Sequence, residues 1–515
     1  MANSNKLNFM NSIQVKNPNK SVFDLTHDVK LSCNMGFLVP SMVFDVVPGD
    51  KISVNTEALI RFAPLVSPMF HRCSVTFHTW FVPYRILWEN WADYITETKT
   101  GGVLPAFPFI DISDNVGSWT QLYDYLGIPQ PIVGGSNERV NAMRMAAYQC
   151  IYNEFYRDEN LIPEVNYALI DGDNSANADL EQIRKRAWQH DYFTSNLPFA
   201  QKGDAVVMPT DFNDVRLARN TDPGPNPLTT VTISAGQGAP SMSLGDNLQT
   251  ADPGIGDNFP YAVTSELNAG TATINDLRLA EQLQKYLERA ARAGTRLVEW
   301  IKGMFGVDLP DYTAQRPQYI GGTKSPVQIS EVLNTAGTVG ELPQGNMSGR
   351  GISVAQGNQG SHFAREHGVV MTIMSIMPET AYQQGLEREW SKINDPKDFL
   401  NPLFAHLGEQ ETKAREIMAF HTDSDQTFGY LPRYSEYRTV PNRVAGDFRT
   451  TLNYWTMSRI FDTTNVPVLN QEFIECDATH RVFADTDVDD QKMYVHCLNR
   501  VRAVRPLPKY GTPSL

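Results

Sequence analysis

The segments of this chain that read as β-strands lie at its two ends, with a long helical and loop-rich middle between them. Ile52–Phe62 follows the turn Pro48-Gly49-Asp50. Cys73–Val82 then sets Cys73, Val75, Phe77, Thr79 and Phe81 on one side against Ser74, Thr76, His78, Trp80 and Val82 on the other. Both sides carry bulky or β-branched groups, which predicts a sheet covered on both faces. Pro83, with no N–H for a ladder, should stop the strand. Val369–Met377, Phe448–Met457 and Met493–Val504 have the same texture late in the chain. Strands so placed must pair across the whole middle, which favours one non-local sandwich with grafted insertions over a row of independent domains. With 515 residues, 41% of them hydrophobic, the chain has enough apolar surface for such a core.

The expected division is a single domain over residues 1–515. An extended arm at 1–25 precedes the strands, insertions occupy 130–360, and a basic strand and tail occupy 492–515. Ser136 can cap a helix through Arg157, with Val140, Met143, Ala147, Ile151 and Phe155 at helical spacing. Asp179 can start a shorter one with Leu180, Ile183 and Ala187 inward. Residues 196–268 are rich in Gly, Pro, Asn, Asp, Ser and Thr and read as an ordered surface excursion. The strongest periodicity predicts a helix over 274–305, capped by Thr273 and Asp276 and striped by Leu277, Ala280, Leu283, Leu287, Ala290, Leu297 and Ile301. Gly294 marks a close approach or a bend in it.

Enzymatic and metal signatures are weak. Asp485, Asp487, Asp489 and Asp490 could offer oxygen ligands to a weakly held structural cation. A calcium hand is excluded because its glycine and glutamate places hold Asp490 and His496, and an exposed hairpin tip is the simpler reading. His71 with His78, and His362 with His367, lack zinc-site spacing, so His78 reads as a hydrogen-bonded core residue. Gly345, Gly349, Gly351, Gly357 and Gly360 do not follow a phosphate-binding order and read as a flexible arm or intersubunit loop. Cys33, Cys73, Cys150, Cys476 and Cys497 form no CxxC pair and should be reduced and buried. No nucleophile elbow is present, and no cofactor is expected. No stretch reaches the length of a membrane span and the start lacks a signal plan, so the chain is expected in the cytoplasm.

Charge is more informative. The formal net charge is −14, yet residues 492–515 hold Lys492, Arg500, Arg502, Arg505 and Lys509 and no acid. Arg500 and Arg502 alternate on one side of a strand and could neutralise phosphates without reading bases. The bland alternative pairs these groups with acids on a neighbouring chain.

Three blocks carry a family likeness: FDLTHDVKLSCNMGFLVP (23–40), TFHTWFVPYRILWENW (76–91) and LPRYSEYRTVPNRVAGDFR (431–449) with Trp455. In this order they closely resemble the major capsid protein of gokushovirus-type microviruses, small single-stranded-DNA bacteriophages. The resemblance implies an all-β core, an eight-stranded antiparallel viral jelly roll with long helical and loop insertions. It also implies self-assembly into a sixty-subunit T=1 icosahedral capsid around circular single-stranded DNA. Assembly would take place in the host bacterial cytoplasm, with residence in the virion. Implied partners are the packaged DNA, a small basic internal protein, scaffolding proteins and a host-surface receptor met by the 196–268 insertion. In that setting Arg500, Arg502, Arg505 and Lys509, then Lys6, Lys16 and Lys20, are expected to face DNA. Arg433, Tyr434, Tyr437, Arg438 and Arg443 are expected between subunits. A polysaccharide-binding jelly roll and a cupin-like metalloenzyme stand as the alternatives.

Overall fold

A computed structural model describes residues 19–98, 103–113, 119–204, 206, 217–219, 260–262, 274–333 and 347–510. The chain separates into a large unit, 1–200 with 291–515, and a small one, 201–290. In chain order the first strands are β1 (Ser21–Asp24), β2 (His27–Cys33), β3 (Val39–Val46), β4 (Lys51–Phe62) and β5 (Cys73–Pro83). Short helices α1 (Tyr84–Leu87) and α2 (Trp91–Ile95) follow, then β6 (Phe109–Ile112), α3 (Gln121–Tyr125), β7 (Glu138–Asn141) and α4 (Met143–Phe155). The small unit holds β8 (Leu217–Arg219), β9 (Pro260–Ala262) and most of α5 (Ile274–Ala293). After α6 (Leu297–Phe305) come β10 (Gln318–Pro326), β11 (Gln328–Leu333), β12 (Met347–Phe363) and β13 (Gly368–Pro378). The chain closes with β14 (Glu409–Lys413), β15 (Thr427–Pro432), α7 (Gln471–Ile474) and β16 (Met493–Arg505).

Two antiparallel sheets organise the large unit. One runs β1-β16-β4-β12-β11 with β2 also on β16; the other runs β10-β5-β13-β3. The expected closure between the chain ends is present: β16 lies between β4 and the β1–β2 edge, with Val504 opposite both Lys51 and Val22. Ala58, Ile60 and Phe62 of β4 and Val495 and Cys497 of β16 share one apolar cluster with Val75 and Phe77 of β5 and Met374 and Ile376 of β13. The two sheets therefore pack face to face.

The other face of the four-stranded sheet is sealed too. Trp80 and Val82 of β5 and Val369, Met371 and Ile373 of β13 pack with α1, α3 and α4 in a second cluster. β13 is buried at every position and β5 at all but His78, which accounts for their apolar character on both sides. His78 is the hydrogen-bonded residue expected, its Nδ1 2.9 Å from the Tyr156 hydroxyl. All five cysteines are free and buried, and burial pushes the Cys33 and Cys73 thiols up to about 12.

Several expectations are corrected. Gly345 lies outside the described residues, while Gly349, Gly351, Gly357 and Gly360 lie not in a loop but in the 17-residue strand β12, paired along β4. Its glycines are required by close approach: a Cβ on Gly351 would sit 2.7 Å from the Phe62 ring, and one on Gly349 would strike the Ser67 carbonyl. The part of the expected 130–360 insertion that begins at Gln318 thus supplies β10, β11 and nearly all of β12 to the two sheets. Phe448–Met457 forms 3-10 turns at Gly446–Arg449 and Asn453–Trp455 instead of a strand. The helix expected from Ser136 begins at Met143, whose N–H donates to Asn141 Oδ1 at 2.8 Å, because Glu138–Asn141 pairs with β6. The 274–305 helix is broken into α5 and α6 at Gly294, whose φ of +97° lies in the left-handed region. Of its stripe Ala290 is buried, while Leu277, Leu283 and Leu297 are exposed. The shorter helix expected from Asp179 is a 3-10 turn, Ala178–Glu181, with Leu180 buried as read.

Gly349→Ala should lower subunit stability by about 1–3 kcal/mol in denaturant unfolding, since the obstacle is backbone and cannot rotate away; unchanged stability would contradict the close packing. A pH prediction follows from His78, whose pKa is pulled down to about 4, chiefly by burial and secondarily by Arg186. The fold favours the neutral ring, so its stabilising effect is complete above about 6.5 and is lost as pH falls from there toward 4. His78→Gln should flatten that acid-side loss relative to the parent in unfolding measured across this range.

Candidate functional site

The opposite face of the six-stranded sheet has no covering layer among the described residues. β16 alternates buried and exposed along almost its whole length, turning Tyr494, His496, Arg500 and Arg502 outward. Strand register places their neighbours: Arg61 lies opposite Tyr494, Leu59 opposite His496, Asn55 opposite Arg500 and Ser53 opposite Arg502. β12 adds Arg350 and Val354, and β2 adds Asp28 and Lys30. Outward cations are Lys30, Lys51, Arg61, Arg350, Arg500 and Arg502, against Asp24, Asp28 and Glu57. Six minus three leaves this face formally +3 on a chain of −14.

Its cations differ in availability. Arg500 is paired with Glu57, Nε to Oε1 at 3.1 Å. Asp28 lies 3.3 Å from His496 and 3.9 Å from Lys30. No carboxylate partners Lys51, Arg61, Arg350 or Arg502 among the described residues. A shallow depression beside α3 gathers Lys30, Arg61, Tyr125, Tyr494 and His496, so it combines cations with aromatic rings.

Arg505 has a different task. Its guanidinium lies 3.0 Å from the carboxylate of Asp50, whose side chain is 0% exposed, and donates to the Asp45 carbonyl at 2.7 Å. It compensates a buried charge under the Pro48-Gly49-Asp50 turn and is only partly exposed. Lys20 donates to the Gly49 carbonyl at 2.8 Å and lies 5.4 Å from the Phe363 ring. Lys509 is exposed, 5.8 Å from the Tyr510 ring. Lys6 and Lys16 lie outside the described residues, as does most of the 196–268 excursion.

The residues expected between subunits separate likewise. Tyr434 is 3% exposed, held at φ +64°, and its hydroxyl donates to the Lys397 carbonyl at 3.0 Å. Arg433 donates to the same carbonyl at 3.0 Å. Both therefore serve contacts inside this chain. Tyr437, Arg438 and Arg443 remain exposed, Arg443 lying 3.3 Å from Glu387. Beneath them is a charge network that sequence inspection missed. Arg388 reaches Glu416 at 3.2 Å and Lys392 reaches Glu436 at 2.9 Å, with the Tyr192 hydroxyl donating to Glu416 at 2.8 Å. Burial pushes the Glu416 carboxyl above its usual range. Burial acts the same way on Glu436, but hydrogen bonds from Gln410 and Lys392 outweigh it and hold that carboxyl low.

At the acidic tip the local cation is Lys492, whose ammonium, 2% exposed, lies 2.6 Å from Asp485 and holds that carboxyl low. Asp487 and Asp489 accept or donate within Asx turns of the same loop. Among the described residues no group of three or more His, Cys, Asp or Glu is arranged to hold a metal ion. No helix among them is long and apolar enough to cross a membrane.

Comparison with known proteins identifies the family of this chain. The model of the phage capsid protein (F protein) family matches residues 11–515. The chain is 33% identical over 581 residues to capsid protein VP1 of Chlamydia phage 1, covering 96% of each. It is 33% identical over 542 residues to VP1 of Bdellovibrio phage phiMH2K, covering 96% of this chain and 95% of the relative. It is 30% identical over 533 residues to VP1 of Spiroplasma virus 4, with the same coverage. These relatives are structural proteins, and neither the carbohydrate-binding nor the metalloenzyme alternative finds support among them. The chain belongs to the capsid protein (F protein) family of gokushovirus-type microviruses and is a major structural protein of the virion.

Proposed function

We propose that sixty copies of this chain close into a T=1 icosahedral shell around circular single-stranded DNA, with the open face of the six-stranded sheet turned toward the nucleic acid. The body of each copy is read as an eight-stranded viral jelly roll. The pairing orders β2-β16-β4-β12 and β10-β5-β13-β3 support it, since they correspond to two interlocked four-stranded Greek keys, with β1 and β11 as added edges.

The observation that carries the inward orientation is the group of unpaired cations on the uncovered face: Lys51, Arg61, Arg350 and Arg502. Guanidinium groups spaced along strands suit phosphates whose base sequence is not read. Tyr494 and Tyr125, beside Arg61, suit stacking by unpaired bases. Arg500, Lys509 and Lys20 are assigned a lesser share of this contact, and Arg505 a supporting one. A face of only +3 holds backbone weakly, so a small basic internal protein fits as a partner in condensing the genome. Scaffolding proteins, a host-surface receptor and assembly in the host bacterial cytoplasm complete the reading.

Arg61→Ala combined with Arg502→Ala should leave subunit stability within about 0.5 kcal/mol of the parent. For a mixed-sequence single-stranded oligonucleotide, the slope of log affinity against log salt should fall by about 1.4, the loss of two phosphate contacts. An unchanged slope would remove this face from the DNA contact. Arg505→Ala should instead cost about 3 kcal/mol of stability in denaturant unfolding, because it strands the buried Asp50 carboxylate; a loss below about 0.5 kcal/mol would make Arg505 a surface residue like Arg502.

A further inference from the structure

Between Arg388 and Leu407 the chain leaves the sheets and runs through three 3-10 turns, Arg388–Ser391, Pro396–Asp398 and Pro402–Phe404. Along it Trp390, Ile393, Phe399, Leu400, Leu403 and Leu407 are all more than half exposed, Ile393 at 82% and Leu403 at 84%. Aromatic side chains contribute about 150–250 Å² each. With four aliphatic neighbours the segment therefore carries roughly 600–800 Å² of apolar surface. An ordinary monomer's largest patch is about 300–600 Å², and a stable interface needs about 800 Å² per partner.

This surface is held in place. Lys392, between Trp390 and Ile393, turns inward with its ammonium 2.9 Å from Glu436 and 4.0 Å from the centre of the Tyr437 ring. Arg388 donates to the Glu411 carbonyl at 2.7 Å. Asp395 accepts the Lys397 N–H at 2.9 Å, and Asn401 accepts the Leu403 N–H at 3.0 Å, which cap the second and third turns. The Lys397 carbonyl in turn takes Arg433 and Tyr434. A charged network and two capped turns therefore hold a row of apolar side chains out in water, an arrangement that reduces the ordering cost of docking.

We infer that residues 390–407 are a subunit contact of the shell, and that their occupant is a second copy of this chain. The area approaches what one partner brings to a stable interface. The chemistry suits a protein surface and not phosphate, because the exposed cation here, Lys397, has Asp395 3.9 Å away. A family of shell-forming proteins brings copies of this surface together at high local concentration. On this inference the 431–449 block supports the contact from beneath, with Arg433 and Tyr434 as its props.

The test is Ile393→Asp combined with Leu403→Asp in the full chain, expressed as the parent is when it forms particles. Closed particles in sedimentation should fall roughly tenfold or more, with soluble subunit kept and its melting temperature unchanged. Assembly at the parent's yield would overturn the inference. So would a clear drop in melting temperature, which would mean that the segment is covered within its own chain. A second measurement uses Leu403→Cys, since the five native thiols are buried. Maleimide labelling should be about tenfold slower in intact particles than in dissociated subunits, and equal labelling would overturn the contact.

Discussion

Burial of one sheet on both faces is the constraint from which the remaining architecture follows. β5 and β13 are apolar on both sides, and each side needs a cover. The six-stranded sheet covers one through Ile60, Phe62 and Val495, and α4 with its neighbours covers the other through Met143, Ala147 and Ile151 against Trp80, Val369 and Met371. The second sheet is thus committed to the core by one face alone, and its other face is free to carry charge. Polar and basic residues alternate with core residues along β16 and β4 for that reason.

A protein with a net charge of −14 gains a positive working surface by local placement, without a change in its total. Glu57, Asp28 and Asp50 each neutralise nearby cations, and what is left over, Arg61, Arg350, Lys51 and Arg502, defines the surface. The apolar row at 390–407 is separate from it in chemistry. One surface suits a polyanion, and the other suits a neighbouring subunit. A shell multiplies weak contacts of both kinds, so neither needs high affinity on its own.

How much of this was readable in the sequence depended on whether the signal was local. The alternation of Cys73–Val82 and the apolar run Val369–Met377 state their own burial, and His78 reads correctly from its strand neighbours. The glycines of β12 point toward a loop because their reason, the Ser67 backbone and the Phe62 ring, lies elsewhere in the chain. Phe448–Met457 has strand-like composition, yet Phe448 and Trp455 pack around Phe70 from short turns. Arg502 and Arg505 look equivalent in a basic tail. Only the fold, which brings Asp50 beneath one of them, separates a free cation from a structural one. Arg61 and Arg350 were invisible as members of the β16 face for the same reason: register across distant strands, β16 on β4 and β4 on β12, places them, and no local motif announces it.

The central claim is that the exposed side of the six-stranded sheet looks into a closed particle. A three-dimensional reconstruction of the native virion would test it most directly, with this fold placed in one subunit's density. The account predicts Arg61, Arg350 and Arg502 on the inner wall, with nucleic-acid density ordered against them. The same residues on the outer surface, or an inner wall formed by a different face of the protein, would contradict it.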